Sequence, residues 1–240
     1  MELIFYFITL GKLLNFVVMK YFSSLILFFL SVSLFSQIEK PAFVEDMKYN
    51  KNSVTFIINK NEVSQDAIYF GIRRWVAMRY LFSKDKVLLE DKELGVITIK
   101  GHSDIPFNNP HKELFNEKQA LALITNIKSM YVVEIQIKKG KMKIQFNLLN
   151  LETSNSLDIS EAQFLIKGFN FKDLVDQNLV DQYNDRIVRS WMFVGKRKTD
   201  RAKSLTPSLF NNFNNAVFDS IIADLASLNR FIEYSLKEDW

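Results

Sequence analysis

The chain has no cysteine, and among its 240 residues only seven glycines, four prolines and two histidines. Without a thiol there is no disulfide framework, no thiolate metal centre and no cysteine nucleophile, so packing alone must hold the fold. So little glycine and proline excludes collagen-like and linker-rich architectures, and no glycine-rich loop is present to cradle a phosphate. No serine is flanked by glycines in the manner of a nucleophile elbow. His102 and His111 fall in a proline-marked stretch with Asp104 nearby, without the helical or hairpin spacing that presets a zinc site. They are read as ordinary loop residues, and no metal or cofactor is expected. No apolar run reaches the roughly 20 residues that a membrane-crossing helix needs.

What is present begins with a leader. Met19-Lys20-Tyr21-Phe22-Ser23-Ser24 runs into Leu25–Leu30 and closes on Ser33-Leu34-Phe35-Ser36-Gln37: a cationic start, an apolar core and a small-residue exit. This is the pattern of an export signal. Cleavage is expected after Ser36, or one residue further on, with an uncleaved anchor as the competing reading. Residues 1–18 then read as upstream sequence, and Met19 as the true start. The mature chain, 37–240, is expected in the periplasm or outside the cell, which argues against kinase, nicotinamide-dependent and DNA-regulating roles. No cysteine follows the cut to take a lipid. Loss of Glu2, Lys12 and Lys20 with the leader lowers the formal charge of +4 only slightly, far from the dense basic face of a nucleic-acid binder.

With 48% apolar residues and 22 phenylalanines, the mature chain has the composition of one folded domain. Val54, Phe56 and Ile58 alternate along Ser53–Asn59 as in a half-buried strand. A helix follows, with Ser64 as N-cap and Ile68, Ile72, Trp75 and Phe82 on one face. Arg73, Arg74 and Arg79 lie off that stripe, where they solvate the outer surface, and Gly71 is placed to let a strand approach. Lys86–Asp91 and Val96–Gly101 read as a hairpin; Glu117–Ile127 is left as either short helix or extended lead-in. The clearest hairpin pairs Tyr131, Val133, Ile135 and Ile137 with Met142, Ile144, Phe146 and Leu148 across Lys139-Gly140. Residues 157–204 look like a partly helical insertion, containing a helix with Val180, Tyr183, Ile187, Trp191 and Val194. A closing helix is predicted over 206–236, with Thr206 as N-cap, Pro207 at the first helical position, and Phe210, Phe213, Val217, Ile221, Leu225, Leu228 and Ile232 facing the core. The order implies an α+β domain, an antiparallel sheet covered on one face by helices.

The run Val54–Ile105, with Arg74-Trp75 in its helix and Glu90-Asp91-Lys92 before Gly95 in its hairpin, resembles a domain family of unknown function found in exported proteins of Bacteroidota. The hairpin Tyr131–Leu148, turning at Lys139-Gly140-Lys141, is similar to that family's later strands, and together they place a family-like core at 53–151. The family is described as having a TATA-binding-protein-like fold. The resemblance implies helices on a sheet and an envelope location, and supplies no established activity or functional residue.

DNA binding does not follow from that fold. A minor-groove binder drives apolar wedges between base steps, whereas the outward positions here are Glu134, Gln136, Lys138, Lys141, Lys143, Gln145 and Asn147. Asp181 and Asp185, spaced helically beside Arg186 and Arg189, read as a solvated face rather than an acid-base pair, because such a pair needs two different environments. The one charged cluster with a binding reading is Lys196, Arg197, Lys198, Arg201 and Lys203, which suits contact with lipid phosphate or another anionic envelope polymer; its plainer reading is a flexible solvated linker. The leading functional reading is a non-catalytic exported module that binds an envelope protein or polymer, with no nucleic-acid partner. The alternatives are a carrier or sensor of a small apolar ligand held between the closing helix and the sheet, and an envelope hydrolase with a site assembled from His102, Asp104 and distant residues.

Overall fold

The computed structural model describes residues 40–80, 86–116, 123, 125–138, 140–153, 159–171, 176–190 and 195–237, all within a compact unit spanning Lys40–Trp240. The proposed leader lies outside the described residues, as do Phe82, Lys139, Trp191 and Val194. Six strands form one antiparallel sheet: β1 (Asp46–Tyr49), β2 (Ser53–Asn59), β3 (Val87–Asp91), β4 (Val96–Pro106), β5 (Asn126–Lys138) and β6 (Lys141–Thr153), in the spatial order β1-β2-β6-β5-β4-β3. Among the described residues four helices accompany it: α1 (Gln65–Arg79), α2 (Ile159–Gly168), α3 (Gln177–Tyr183) and α4 (Lys196–Lys237).

Period-two alternation turns one face of every long strand inward. Val54, Phe56 and Ile58 of β2, Ile97 and Ile99 of β4, Val133, Ile135 and Ile137 of β5, and Met142, Ile144 and Phe146 of β6 are all buried. Ile68, Ile72, Trp75 and Val76 of α1 and Phe210, Phe213, Val217, Leu225, Leu228 and Ile232 of α4 are buried with them, each large side chain contributing about 1.5–3 kcal/mol. Ser64 caps α1 as expected, its hydroxyl accepting from Ala67 N at 3.2 Å. Gly71 does allow a close approach, but to a helix. A Cβ there would lie 2.7 Å from the Ile232 Cα, so the glycine seats α4 rather than a strand.

The opposite face is wet, with the exposed Lys138, Lys141 and Lys143 and the half-buried Glu134, Gln136, Gln145 and Asn147. It is less uniformly polar than its pattern suggests, since the register also places Ile57 opposite Lys143 and Val132 opposite Asn147. Neighbours along each strand bond one another: Gln145 Nε2 donates to Asn147 Oδ1 at 2.8 Å, and Asn150 Nδ2 to Glu152 Oε1 at 2.8 Å.

Several boundaries differ from the sequence reading. β1, too short for a periodic signal, pairs with β2 through Asp46↔Ile57 to Tyr49↔Val54. β4 continues to Pro106 and β5 starts at Asn126, because residues 101–106 and 126–131 pair in register and satisfy each other's backbone. Residues 157–204 also hold α2, and α3 runs into a π turn at Asn184–Val188.

The largest correction concerns the closing helix. It begins at Lys196, so Thr206 is no N-cap and Pro207 lies inside the helix. An interior proline costs roughly 3 kcal/mol, and burial around the extra turns offsets it. Ala202 and Thr206 are fully buried, the Thr206 hydroxyl donates to Asn184 Oδ1 at 2.6 Å, and the His111 ring bonds the Ala202 carbonyl. The cationic stretch read as a linker is therefore helical. Among the described residues no helix is long and apolar enough to cross a membrane.

Candidate functional site

A polar cluster sits where α1, β4, β5 and α4 meet. Tyr131 donates to Asp224 Oδ2 at 2.8 Å, and its oxygen lies 3.1 Å from the Tyr80 hydroxyl and 3.3 Å from Ser103 Oγ. Arg79 closes the cluster, with Nε 3.0 Å from Asp224 Oδ1. Arg79 is exposed, as its place off the α1 stripe suggested, and is in addition the counter-ion of a nearly buried carboxylate. Gly101 makes room for the two phenol groups: a Cβ there would fall 2.3 Å from Tyr131 Cε2 and 2.7 Å from the Tyr80 oxygen.

Burial pushes the Tyr131 and Tyr80 hydroxyls upward from their ordinary range, and Asp224 adds to both shifts. Burial alone would lower Arg79, but Asp224 outweighs it and holds the guanidinium charged. On α1's other flank Tyr69, bonded to Glu90, is pushed up to about 12, by burial first and then by Glu90. Phenols held protonated in this way are available as hydrogen-bond donors to the carboxylates. The cluster is a structural knot. Tyr131→Phe is expected to cost about 2 kcal/mol in urea denaturation, because Asp224 loses its buried donor; an unchanged midpoint would contradict this role.

The candidate metal residues do not converge. His102 is exposed on the open face of β4, within a strand rather than a loop. His111 is fully buried in the 3₁₀ turn Pro110–Leu114, stacked on Tyr183 with ring centroids 6.0 Å apart. Its Nε2–H donates to the Ala202 carbonyl, 3.1 Å away. Among the described residues no group of three or more His, Asp or Glu side chains is placed to hold a metal ion. Asp185 pairs with Arg189 at 2.9 Å across one helical turn, as a solvated face does.

The five cations fall in the first turns of α4. Lys196, Arg197, Lys198 and Arg201 are exposed and Lys203 is half-buried. Arg201 is held by Glu113 at 2.9 Å; the other four have no ion-pair partner among the described residues.

Sequence reasoning missed a cleft of about 460 Å3 between the end of β4 and α4, lined on one side by Asp104–Asn108 and on the other by Asn212, Asn215, Ala216, Asp219 and Ser220. The helical residues recur every three or four positions, so one face of α4 forms that wall. Asn212 Nδ2 closes one end on the Asn108 carbonyl at 2.9 Å. The signal was the polar stripe on α4 opposite its phenylalanines.

An open antiparallel sheet with helices on one face and an aromatic core defines a helix-on-sheet α+β protein. Residues 55–152 match the family described as a domain of unknown function (DUF4468) with TBP-like fold. Two solved structures are similar. A TBP-like protein from Parabacteroides distasonis is 13% identical, with a TM-score of 0.40, 76% of this chain and 93% of that one being covered. A DUF4468 family protein from Bacteroides ovatus is 15% identical, with a TM-score of 0.34, over 65% of this chain and 92% of that one. No curated protein matches the chain.

Proposed function

We propose that the chain is an exported, non-catalytic binding module of the bacterial cell envelope, which contacts an anionic partner through the start of α4. One observation carries this reading: Lys196, Arg197, Lys198 and Lys203 crowd two helical turns without an ion-pair partner among the described residues. Lys196, Arg197 and Lys198 stand in the first turn, at the positive end of the helix dipole, where a cation is unfavourable by about 0.3–1 kcal/mol. Solubility alone does not require cations at that end; affinity for phosphate-bearing surfaces does.

The apolar-carrier alternative finds less support, because Phe210, Phe213, Val217 and Leu225 fill the space between α4 and the sheet. The hydrolase alternative has His102 and Asp104 exposed along β4, and the buried His111 is not available to join them.

The test uses co-sedimentation of the full chain with phosphatidylglycerol vesicles, lipopolysaccharide and neutral phosphatidylcholine vesicles. Binding to either anionic surface is expected to fall at least tenfold when Lys196, Arg197, Lys198 and Lys203 are all changed to glutamine, and to weaken with salt. Thermal stability should hold or rise, since the dipole repulsion is relieved. Undiminished binding by the variant, or none by the parent, overturns the reading. For export, N-terminal sequencing of protein from the native host should begin at Gln37 or Ile38.

A further inference from the structure

The long cleft runs beside a strand edge that no described strand covers. β3 pairs with β4 only from Val96 to Ile99, and its last bond is Lys100 N to Lys86 O at 2.7 Å. Beyond that point β4 runs on to Pro106, paired on its other side to β5.

The ladder settles which backbone groups of β4 point away from β5. Ile137 N bonds Gly95 O at 2.7 Å and Phe107 N bonds Thr125 O at 3.0 Å. No register shift interrupts β4 and β5 between them. Odd-numbered residues of β4 therefore direct N–H and C=O toward β5, and even-numbered ones direct theirs outward. Lys100, bonded to Lys86, obeys this rule. At the end where no described strand pairs with β4, the outward groups are the N–H and C=O of His102 and Asp104 and the C=O of Pro106, a proline where an edge strand tolerates one. Five consecutive residues, Asp104–Asn108, line the cleft. Both parities are thus represented, and the strand's edge rather than one of its faces forms the wall.

We propose that this cleft takes an extended, basic peptide segment, which adds as a strand to the His102–Pro106 edge and lies between it and α4. The span of α4 from Asn212 to Ser220 is about 12 Å, which matches about four extended residues. The volume of about 460 Å3 falls in the range of ligand sites. An added strand directs alternate side chains to the two faces of the sheet. On the helix side they meet Asn212, Asn215 and Asp219, with Ile105 and Phe107 beneath; on the open face they meet Asp104, whose register partner on β5 is Lys128. Neither Asp104 nor Asp219 has an ion-pair partner among the described residues. A carboxylate therefore waits on each side of the incoming strand, which favours lysine or arginine on both. Main-chain bonds supply affinity in this mode of recognition, and the flanking side chains supply selectivity. This deepens the binding-module reading, but through a separate surface from the α4 cations.

The probe is a Val-Lys hexapeptide of the pattern Lys-Lys-Val-Val-Lys-Lys, which presents cations on both faces of an extended strand, compared with its Val-Glu counterpart and with the same Val-Lys peptide N-methylated at alternate residues. Titrated into the isotope-labelled full chain, the Val-Lys peptide is expected to shift the His102, Asp104 and Phe107 amides and to slow hydrogen exchange at His102 and Asp104. It should bind at least tenfold tighter than either comparison peptide, and Asp219→Asn should weaken it severalfold. Saturation without shifts in β4, or equal binding by the N-methylated peptide, overturns the proposal, and that comparison needs no protein variant. A Val-Glu peptide that maps to Lys196–Lys203 while the Val-Lys peptide leaves β4 unshifted would leave the anionic-partner reading standing and remove this one.

Discussion

Replacing Gly101 by alanine is expected to destabilise the fold by about 3–5 kcal/mol, more than an ordinary glycine-to-alanine change inside a strand, which usually stabilises. The added methyl would stand 2.3 Å from one ring carbon of Tyr131 and 2.6 Å from another. The ring cannot step aside cheaply. Its hydroxyl is fixed on Asp224 at 2.8 Å, and its far side packs on Phe146 with centroids 5.9 Å apart. Moving it leaves a nearly buried carboxylate short of a donor, a loss of about 1–3 kcal/mol in addition to the steric cost. Urea denaturation measures the sum. The double variant Gly101→Ala, Tyr131→Phe gives the check on mechanism, because losses that share one cause should add to much less than their total. A Gly101→Ala chain within 1 kcal/mol of the parent, with Tyr131 still protected, would refute the account.

The second large effect is a pH dependence that originates at His111. Burial lowers this imidazole from the usual 6.5 to about 4, against the opposing pulls of the Ala202 carbonyl and Glu113. The sign follows from proton uptake. As pH falls below 6.5 the unfolded chain binds a proton that the folded chain refuses until about pH 4, so acid favours unfolding across that window. Stability is complete above pH 6.5, declines as pH drops toward 4, and levels off below, a loss of about 3 kcal/mol from this group alone. Carboxylates titrate in the same range, so the informative quantity is the difference between the parent and His111→Gln, whose amide can still donate to the Ala202 carbonyl but does not ionise. That difference should shrink steadily from pH 6.5 to 4. A flat difference means that His111 takes its proton at an ordinary pH in the folded chain.

Periodicity made the sheet legible where strands alternate over many residues. β2, the facing halves of β5 and β6, and the apolar face of α4 could be read from spacing because one side of each is buried and the other wet. It failed where local chemistry and long-range burial disagree. Thr206-Pro207 carries the local signature of a helix start, yet the helix runs through it because His111 and Asn184 engage the preceding turn, and no local pattern announces partners that distant. β4 beyond Gly101 was missed for a related reason: His102, Asp104 and Pro106 are poor strand formers, held extended by register with Asn126–Met130. The knot around Asp224 was hidden because each member looks ordinary alone. Its only sequence trace is a glycine in mid-strand, which often marks a close approach. The cationic run was plain in the sequence, and the fold adds that it is helical.

The strand order has a consequence for how the molecule is made. Ser53 pairs with Asn147 and Asn59 with Lys141, so β2 finds its inner neighbour only after both arms of the β5–β6 hairpin exist. A chain synthesised from its N-terminus holds the β1–β2 pair in waiting, one hydrogen-bonding edge bare and its Val54, Phe56 and Ile58 side wet, while most of the domain is still to come. Long-range closures of this kind are slow and leave an aggregation-prone interval. Assembly should therefore proceed from the β3–β6 meander outward, with the earliest-made strands docking among the last.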